Sequence, residues 1–488
     1  MVQNRLVIGL GESGMALVRH AVCTATPVAV YDSRQAPAQL PVLQEKYPDI
    51  RVHCGGFDAT YLDNVVEVVL SPGLSPHVEP LKTILTVAHE RGIPVLGELA
   101  VFTRALDDLK ASHDYQPKIL AVTGTNGKTT VTSLTRHLCQ SVGVSALAAG
   151  NISPSMLDAL CDALDNEALP EVWVLELSSF QLQFAQDFNP NAATVLNISQ
   201  DHLDWHSDMT EYAQAKAHIF GANTVQVLNR DDAAVMAMAK AQSTQMNFGM
   251  HAPTVSGDYG LWREGGMDWL SIAVTDDVMV EKKKRGQAAA PVEVLLQRLM
   301  PVDALQIRGR HNAMNALAAL ALCRAIDLPL AKLLHGLRDY AGEPHRVQWI
   351  ANINGVDFYD DSKGTNVGAS LAAIEGLGQK IVLIAGGDGK GQDFTPMIDA
   401  IRAHVVQVCL IGKDAALIET AWQDCGAPMQ VFENLEAATL AAAKAAQAGQ
   451  AVLLSPACAS LDMFKNYAHR AQVFVDAVRE WANDMGQV

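Results

Sequence analysis

The sequence predicts an α/β protein of three domains, each a largely parallel sheet flanked by helices, on three observations. A chain of 488 residues is longer than one hydrophobic core usually organises and corresponds to roughly three domains. Short β-branched runs alternate with helix-length segments almost throughout, at Arg5–Gly9, Pro27–Tyr31, Val65–Leu70, Ile119–Thr123, Val172–Leu177, Ala193–Ile198, Val225–Asn229, Ile381–Ala385 and Val406–Ile411. That alternation is the pattern of repeated βαβ units. Two polar, proline-containing seams interrupt it, Lys110–Lys118 (KASHDYQPK) and Ala341–Arg346 (AGEPHR). They divide the chain into expected domains 1–113, 114–343 and 344–488.

Composition narrows the function classes. Hydrophobic residues make up 49% and charged residues 18%, an ordinary globular balance. A net charge of −17 argues against broad nucleic-acid or anionic-membrane binding, since both need a cationic face. The first residues carry no basic segment, long apolar core or small-residue cleavage site, and apolar stretches such as Ala313–Cys323 are too short to span a bilayer. A soluble, cytoplasmic protein is expected. Eight scattered cysteines without a CxxC pair are expected as reduced, mostly buried thiols. The segment Glu281–Pro291 (EKKKRGQAAAP), with four successive basic residues, is expected as a surface insertion of the middle domain.

In the first domain, Gly9-Leu10-Gly11-Glu12-Ser13-Gly14 follows an apolar strand and opens a helix. Glycines there permit a tight turn, and the helix N-terminus offers unpaired N–H groups to phosphate. Asp32 ends the next strand and Ser33 follows it. A carboxylate at that place holds the adenosine ribose in dinucleotide enzymes, so an NAD-dependent reading stands open here. A second turn, Ser71-Pro72-Gly73, follows Val65–Leu70 and points to a diphosphate-bearing ligand at the same sheet edge, or to a simple tight loop.

The middle domain carries the strongest signal, Ile119–Thr130 (ILAVTGTNGKTT), a strand turning through Gly124, Thr125, Asn126 and Gly127 into Lys128, Thr129 and Thr130 and then an amphipathic helix over Val131–Gln140. Loop N–H groups can cradle triphosphate oxygens, Lys128 can reach the β/γ-phosphates and the Thr129 hydroxyl can bind Mg²⁺. ATP binding follows as an expectation. The loop is shorter than G-x-x-x-x-G-K-[ST], whose first glycine would fall on Val122. Glu176 at a strand end and the Asp201-His202-Leu203-Asp204 segment offer metal ligands, although for either residue alone a helix-capping acid and a hydrogen-bonded loop histidine are the more ordinary readings.

In the third domain, Asp360–Asn366 (DDSKGTN) and Gly386–Gly391 (GGDGKG) are polar, glycine-containing loops at strand ends, and Leu453–Tyr467 is a loop-to-helix transition suited to an anion or to a helix cap.

Taken in order, Thr123–Thr130, Glu-Leu-Ser-Ser-Phe, Asp-His-Leu-Asp, Gly309–Asn315 (GRHNAMN), His345-Arg346, Asp-Ser-Lys-Gly-Thr-Asn and Gly-Gly-Asp-Gly-Lys-Gly resemble the Mur ligase family over nearly the whole chain. Ser-Pro-Ala-Cys-Ala-Ser-Leu-Asp-Met-Phe-Lys-Asn-Tyr most resembles its D-glutamate-adding branch, and the Asp-Asn-Pro-Arg motif of the diaminopimelate-adding relative is absent. The resemblance implies a Rossmann-like N-terminal domain, a P-loop ATPase-like central domain and a Rossmann-like C-terminal domain. It replaces the NAD reading with UDP: Asp32 as a uracil contact, with Ser33 beside it in the UDP-substrate set, Gly11, Ser13, Gly14, Ser71, Pro72 and Gly73 at the diphosphate, and Asn151 at the muramyl group. Gly124–Thr130 with Asn312, Asn315, Arg346 and Asp361 are then implied at ATP, and Thr129, Glu176 and His202 at two Mg²⁺ ions. Lys216 lies in a helix-like segment, Tyr212–Phe220, where a surface lysine is the ordinary reading; by resemblance it is a carbamate and a metal ligand. Thr365, Lys390, Ser460 and Tyr467 are implied at D-glutamate, Tyr467 standing where the family has phenylalanine, and Lys363 joins Lys128, Glu176, His202 and Lys216 as catalytic.

The implied reaction is ATP-dependent amide formation in peptidoglycan precursor synthesis, between UDP-N-acetylmuramoyl-L-alanine and D-glutamate, by a monomeric enzyme. A carboxylate resists an amine until phosphorylated, and positioned cations offset the charge of that transfer. Closure about Ala341–Arg346 would exclude water from the acyl phosphate. A folylpolyglutamate-synthase-like ligase, a non-catalytic nucleotide switch and a dehydrogenase are the competing readings.

Overall fold

A computed structural model describes residues 4–203, 205–275 and 294–486; Asp204 and the Glu281–Pro291 segment lie outside the described residues. The described residues pack as two compact units. One holds the chain up to Arg263 with Trp269 to Met300 and Ala316 to Leu337; the other holds Glu264 to Asp268, Pro301 to Asn315 and Arg338 onward.

The first unit contains two sheets. In the amino-terminal one, β1 (Asn4–Ile8), β2 (Val28–Asp32), β3 (Arg51–Cys54), β4 (Val65–Leu70) and β5 (Val95–Gly97) lie parallel in the order β3-β2-β1-β4-β5. The chain leaves β1 toward β2 on one side and returns to β4 on the other, so the carboxyl ends of β1 and β4 border a crevice at the switch point. The second sheet is built from β6 (Lys118–Thr123), β7 (Ala146–Gly150), β8 (Val172–Glu176), β9 (Ala192–Val195), β10 (Val225–Asn229), β11 (Gln245–Gly249), β12 (Tyr259–Glu264), β13 (Met267–Thr275) and β14 (Val294–Pro301). Its order is β14-β13-β12-β11-β10-β9-β6-β8-β7, with β6 between β8 and β9 at a second switch point. One continuous apolar cluster, including Val7, Leu17, Val69 and Phe102 from the first domain and Leu160, Trp173 and Val195 from the second, joins the two sheets.

The second unit carries β15 (Gln348–Ile353), β16 (Val356–Asp360), β17 (Ile381–Gly386), β18 (Val405–Ile411), β19 (Met429–Val431) and β20 (Ala451–Leu454), in the order β15-β16-β20-β17-β18-β19. All its pairs are parallel except the edge pair β15–β16. β17 is buried along its whole length, with a core on each face, which is why its sequence is a continuous apolar run.

Each of the nine predicted runs is a strand, and the differences lie at their ends. The 193–198 run stops at Val195 and the 172–177 run at Glu176. The helix after the phosphate loop starts at Lys128, three residues earlier than expected, because Gly127 takes a left-handed φ of 84° and turns the chain directly into it. Lys110–His113 are the last turn of a helix, Glu98–His113, so the non-helical part of the first seam begins at Asp114, which caps that helix with φ 51°.

Candidate active site

The Gly9–Gly14 turn, the end of β2 and the turn after β4 enclose a cleft of about 530 Å³. Gly11, Ser13, Asp32, Ser33, Ser71, Pro72 and Gly73 all line it. Gly14 does not; a methyl group there would meet the Gly9 carbonyl oxygen at 2.0 Å, so its absence lets the helix Glu12–Cys23 pack against the turn. The Ser71 hydroxyl donates to the same carbonyl at 2.8 Å and ties the two turns together. Asp32 is buried. Its Oδ2 accepts from the Leu10 amide and Arg34 Nη2, both at 2.7 Å, and its Oδ1 from the Arg34 amide and Nε, both at 2.9 Å. Burial opposes ionisation, but the Arg34 side chain and the two amides outweigh it and hold the carboxyl below its ordinary range. With its lone pairs so occupied, Asp32 presents Arg34, a residue the sequence reading passed over, to the cleft.

At the end of β6 the shortened loop is pinned from the neighbouring strand. Asn197, two residues beyond β9, accepts from the Asn126 amide at 2.8 Å and donates to the Asn126 carbonyl at 3.1 Å, while its own carbonyl receives the Thr125 amide at 2.9 Å. Gly124 takes φ 149°, and a Cβ there would lie 2.9 Å from Leu196 Cβ. Close packing against β9 explains both the glycine and the brevity of the loop. Lys128 Nζ donates to the Gly124 and Thr125 carbonyls at 2.9 and 2.7 Å.

Lys216 is the main departure from the ordinary sequence reading. It sits on the helix Met209–Ala217 but is 2% exposed, not at the surface. Its Nζ donates to the Gly124 carbonyl at 2.9 Å and to Thr123 Oγ1 at 3.3 Å, and lies 4.6 Å from the centroid of the Tyr212 ring. Burial, joined by the charge of Lys128, drives its pKa well below the ordinary lysine value, against the opposing pull of Asp201 and Glu176. The shift is toward the neutral amine, the form able to attack an electrophile.

Glu176 closes β8 and is buried. Its Oε1 accepts from Asn151 Nδ2 at 3.0 Å, whereas its Oε2 has no hydrogen-bond partner among the described residues. The cap of the following helix is Ser178, not Glu176. A buried carboxylate oxygen left without a donor fits a cation ligand. His202, in a left-handed conformation (φ 54°), has Nε2 3.6 Å from Asp201 Oδ2 and its ring edge-on to Phe180 at 4.8 Å. Among the described residues no three His, Cys, Asp or Glu side chains are grouped to hold a metal by themselves. Mg²⁺ commonly completes its shell with phosphate oxygens and water, and Thr129, Glu176 and His202 offer the donor types it accepts beside them.

In the second unit, the loops after β16, β17 and β20 meet at one sheet edge. Asp361 is buried and its carboxyl is raised to about 7, chiefly by burial, against the Ser455 hydroxyl (2.7 Å), the charge of Arg346 and the Val347 amide. His345 Nδ1 pairs with Asp360 Oδ2 at 2.7 Å. Asn315 donates to Asn312 at 3.0 Å on the helix Arg310–Arg324. The Lys363 ammonium lies 5.3 Å from the Tyr467 ring centroid, and the Ser362 hydroxyl donates to the Tyr467 carbonyl. Thr365 follows on the same loop and is half-buried. Asp388 and Ala459 exchange backbone hydrogen bonds, bringing the Lys390 loop beside the loop that holds buried Ser460. Arg470, which the sequence reading did not single out, is fully buried and donates to the Ser362 hydroxyl and carbonyl and to the Cys458 carbonyl at 2.8 to 3.1 Å, fastening two of these loops together.

Three α/β domains, with a cleft of about 530 Å³ at one switch point and a shortened phosphate loop at another, are the frame in which the comparisons with known proteins stand. Residues 122–323 match the Mur ligase middle domain, residues 3–97 the Mur ligase MurD-like N-terminal domain, and residues 345–458 the Mur ligase glutamate ligase domain. The chain belongs to the Mur ligase family. It is 55% identical over 491 residues to UDP-N-acetylmuramoylalanine–D-glutamate ligase of Burkholderia cenocepacia, covering 99% of this chain and 97% of that one. The enzyme of the same name from Ralstonia nicotianae is 54% identical over 486 residues, with the same coverage. Among solved structures, UDP-N-acetylmuramate-alanine ligase MurC of Thermotoga maritima shares the fold, with a TM-score of 0.54 at 19% identity over 99% of this chain and 100% of that one. No helix among the described residues is long and apolar enough to cross a membrane.

Proposed function

We propose that this chain is an ATP-dependent ligase that joins D-glutamate to UDP-N-acetylmuramoyl-L-alanine. The observation that carries the reading is the placement, in one unit, of the nucleotide cleft beside Asp32 and a phosphate loop flanked by Lys128, the orphaned Glu176 oxygen and the buried Lys216. The near-full-length relatives named for this activity support the choice of amino acid.

In this reading the cleft residues hold the uridine diphosphate and Asn151, bonded to Glu176, meets the muramyl end. The loop Gly124–Thr130, with Asn312, Asn315, Arg346 and Asp361, receives ATP. Transfer of the γ-phosphoryl group to the alanyl carboxylate oxygen releases ADP and forms an acyl phosphate. The D-glutamate nitrogen then attacks the acyl carbon, the carbon–oxygen bond breaks with its electron pair on phosphate, and the amine loses a proton. Lys128 and Lys363 offset the charge that builds on the transferred group, with D-glutamate held by Thr365, Lys390, Ser460 and Tyr467. Mg²⁺, held by Thr129, Glu176, His202 and a carbamate on Lys216, would screen the phosphate oxygens. In its unprotonated form the Lys216 amine can add to CO₂ and lose a proton, which places a carboxylate-like donor suited to that ion.

Measuring ADP release with the muramyl substrate and a panel of amino acids tests the proposal. Release is expected to require both the UDP-linked substrate and D-glutamate; equal turnover with L-lysine or diaminopimelate, or none with D-glutamate, would overturn it.

A further inference from the structure

The loop between β4 and the helix Leu81–Glu90 touches two sites at once. It forms no strand or helix from Ser71 to Pro80. Ser71, Pro72, Gly73 and Leu74 at its start and Pro80 and Leu81 at its end line the nucleotide cleft. Its middle reaches the central domain instead. The Ser75 hydroxyl donates to the Trp205 carbonyl at 3.1 Å, and His77 Nε2 pairs with Glu211 Oε1 at 3.0 Å.

Both partners belong to the segment that presents Lys216. Glu211 lies in the first turn of the helix Met209–Ala217, where its Oε2 accepts from the Ser207 amide and hydroxyl. Beside it the Tyr212 hydroxyl meets Thr125 Oγ1 of the phosphate loop at 3.0 Å, and in the last turn Lys216 reaches the Gly124 carbonyl. The Trp205 amide donates to the His202 carbonyl at 3.1 Å, so the Ser75 bond also steadies the turn that carries His202. A helix of nine residues is too short to be stable by propensity alone, and its place is set by such contacts. This one is held at its start by the loop of the cleft and at Tyr212 and Lys216 by the phosphate loop.

We propose that Ser75 and His77 are positioning residues that couple the two sites: a UDP-linked substrate in the cleft fixes both limbs of the loop, the loop fixes the start of the helix, and the helix sets Lys216 and Tyr212 against the loop that receives ATP. This rests on the ligand reading of the two sites given above. Order imposed by one ligand need not be imposed again by the second, so each binds more tightly when the other is present, and by the same factor. His77 is half exposed, and an ion pair so placed is weak by itself. Together with the Ser75 bond it supports a factor of about five. Direct contact between the two bound ligands would also couple them, but would not pass through this loop.

The test is calorimetric binding of UDP-N-acetylmuramoyl-L-alanine to the full chain with and without saturating ADP and Mg²⁺, a pair of ligands that cannot react. The parent is expected to bind the substrate about fivefold more tightly with ADP present, and the reciprocal titration of ADP to return the same ratio. In Ser75→Ala/His77→Ala the ratio falls to about twofold or less, while each ligand alone binds within about threefold of the parent. His77→Gln keeps a donor for Glu211 and retains most of the ratio. A ratio near one in the parent, an unchanged ratio in the double variant, or loss of both separate affinities along with the ratio overturns the proposal. His77→Ala alone, at an exposed loop position, must still lower the ratio if the double variant does not fold. Failure of the parent to bind one of the ligands by itself would instead overturn the reading of that site, and the coupling with it.

Discussion

Glu176→Gln separates stability from function at a single oxygen. In the free protein Glu176 Oε1 takes the Asn151 amide at 3.0 Å and Oε2 is buried without a donor. A buried polar atom lacking its partner costs about 1–3 kcal/mol, and more when charged. The glutamine keeps the side-chain shape and the Asn151 bond and exchanges the orphaned anionic oxygen for a neutral amide nitrogen. The substituted protein is therefore expected to be as stable as the parent or more so, by about 1 kcal/mol, when unliganded. With ATP and Mg²⁺ the balance reverses: the missing carboxylate is a loss of metal coordination, for which a fall in turnover of about a hundredfold or more is expected. Urea unfolding of the unliganded protein and ADP release across a Mg²⁺ titration measure the two halves. Destabilisation of the free protein by more than about 1 kcal/mol would show that the oxygen is not a strained vacancy in the hydrogen-bond network. Turnover within about tenfold of the parent at ordinary Mg²⁺ would refute the metal role.

Lys216→Ala should lose most activity while retaining its fold, since alanine suits the helix, and acetate at fixed ionic strength should restore part of the rate by supplying a carboxylate; full activity without added acid would refute the carbamate. Lys128→Ala, lacking a cation, should show no acetate rescue but should bind the UDP-linked substrate normally; near-normal ADP release would remove it from the ATP site. Asp32→Ala should weaken that substrate while leaving the KM for ATP unchanged, and Arg34→Ala should weaken it less, because the Leu10 amide bond to Asp32 survives. An effect of Asp32→Ala with none from Arg34→Ala would mean that the ligand reaches the carboxylate directly.

The parts of this protein legible in its sequence are those governed by local pattern. Val172–Glu176 and Ile381–Gly386 announce themselves because strands covered on both faces must be apolar at successive positions. β15 passed unread because it is an antiparallel edge strand whose residues are mostly half-buried or exposed, and such a strand has no continuous apolar run. The phosphate loop was readable from its own residues, but Asn197, which fixes its shape, stands 71 positions away from Asn126. Arg470 stands 108 positions from Ser362. Lys216 was misleading for the same reason: YAQAKAHIF is compatible with an exposed lysine, and burial comes from the docking of its helix on the end of β6. Side chains whose role is to hold another segment carry no signature of it in their immediate neighbours.

The apolar cluster shared by the first two sheets gives this protein a built-in optical probe. The first domain, through His113, contains no tryptophan, while Trp173 on β8 is fully buried, edge-on to Phe102 at 5.3 Å and bonded through its indole N–H to the Tyr115 hydroxyl at 2.9 Å. Phe102 belongs to the helix that Glu98 begins. Strain passed along that helix from an occupied uridine cleft would thus reach an indole on the strand that ends in Glu176, three residues further on. Intrinsic emission of a variant keeping Trp173 as its sole tryptophan, followed during titration with the UDP-linked substrate, tests that coupling; unchanged emission on saturation would refute it.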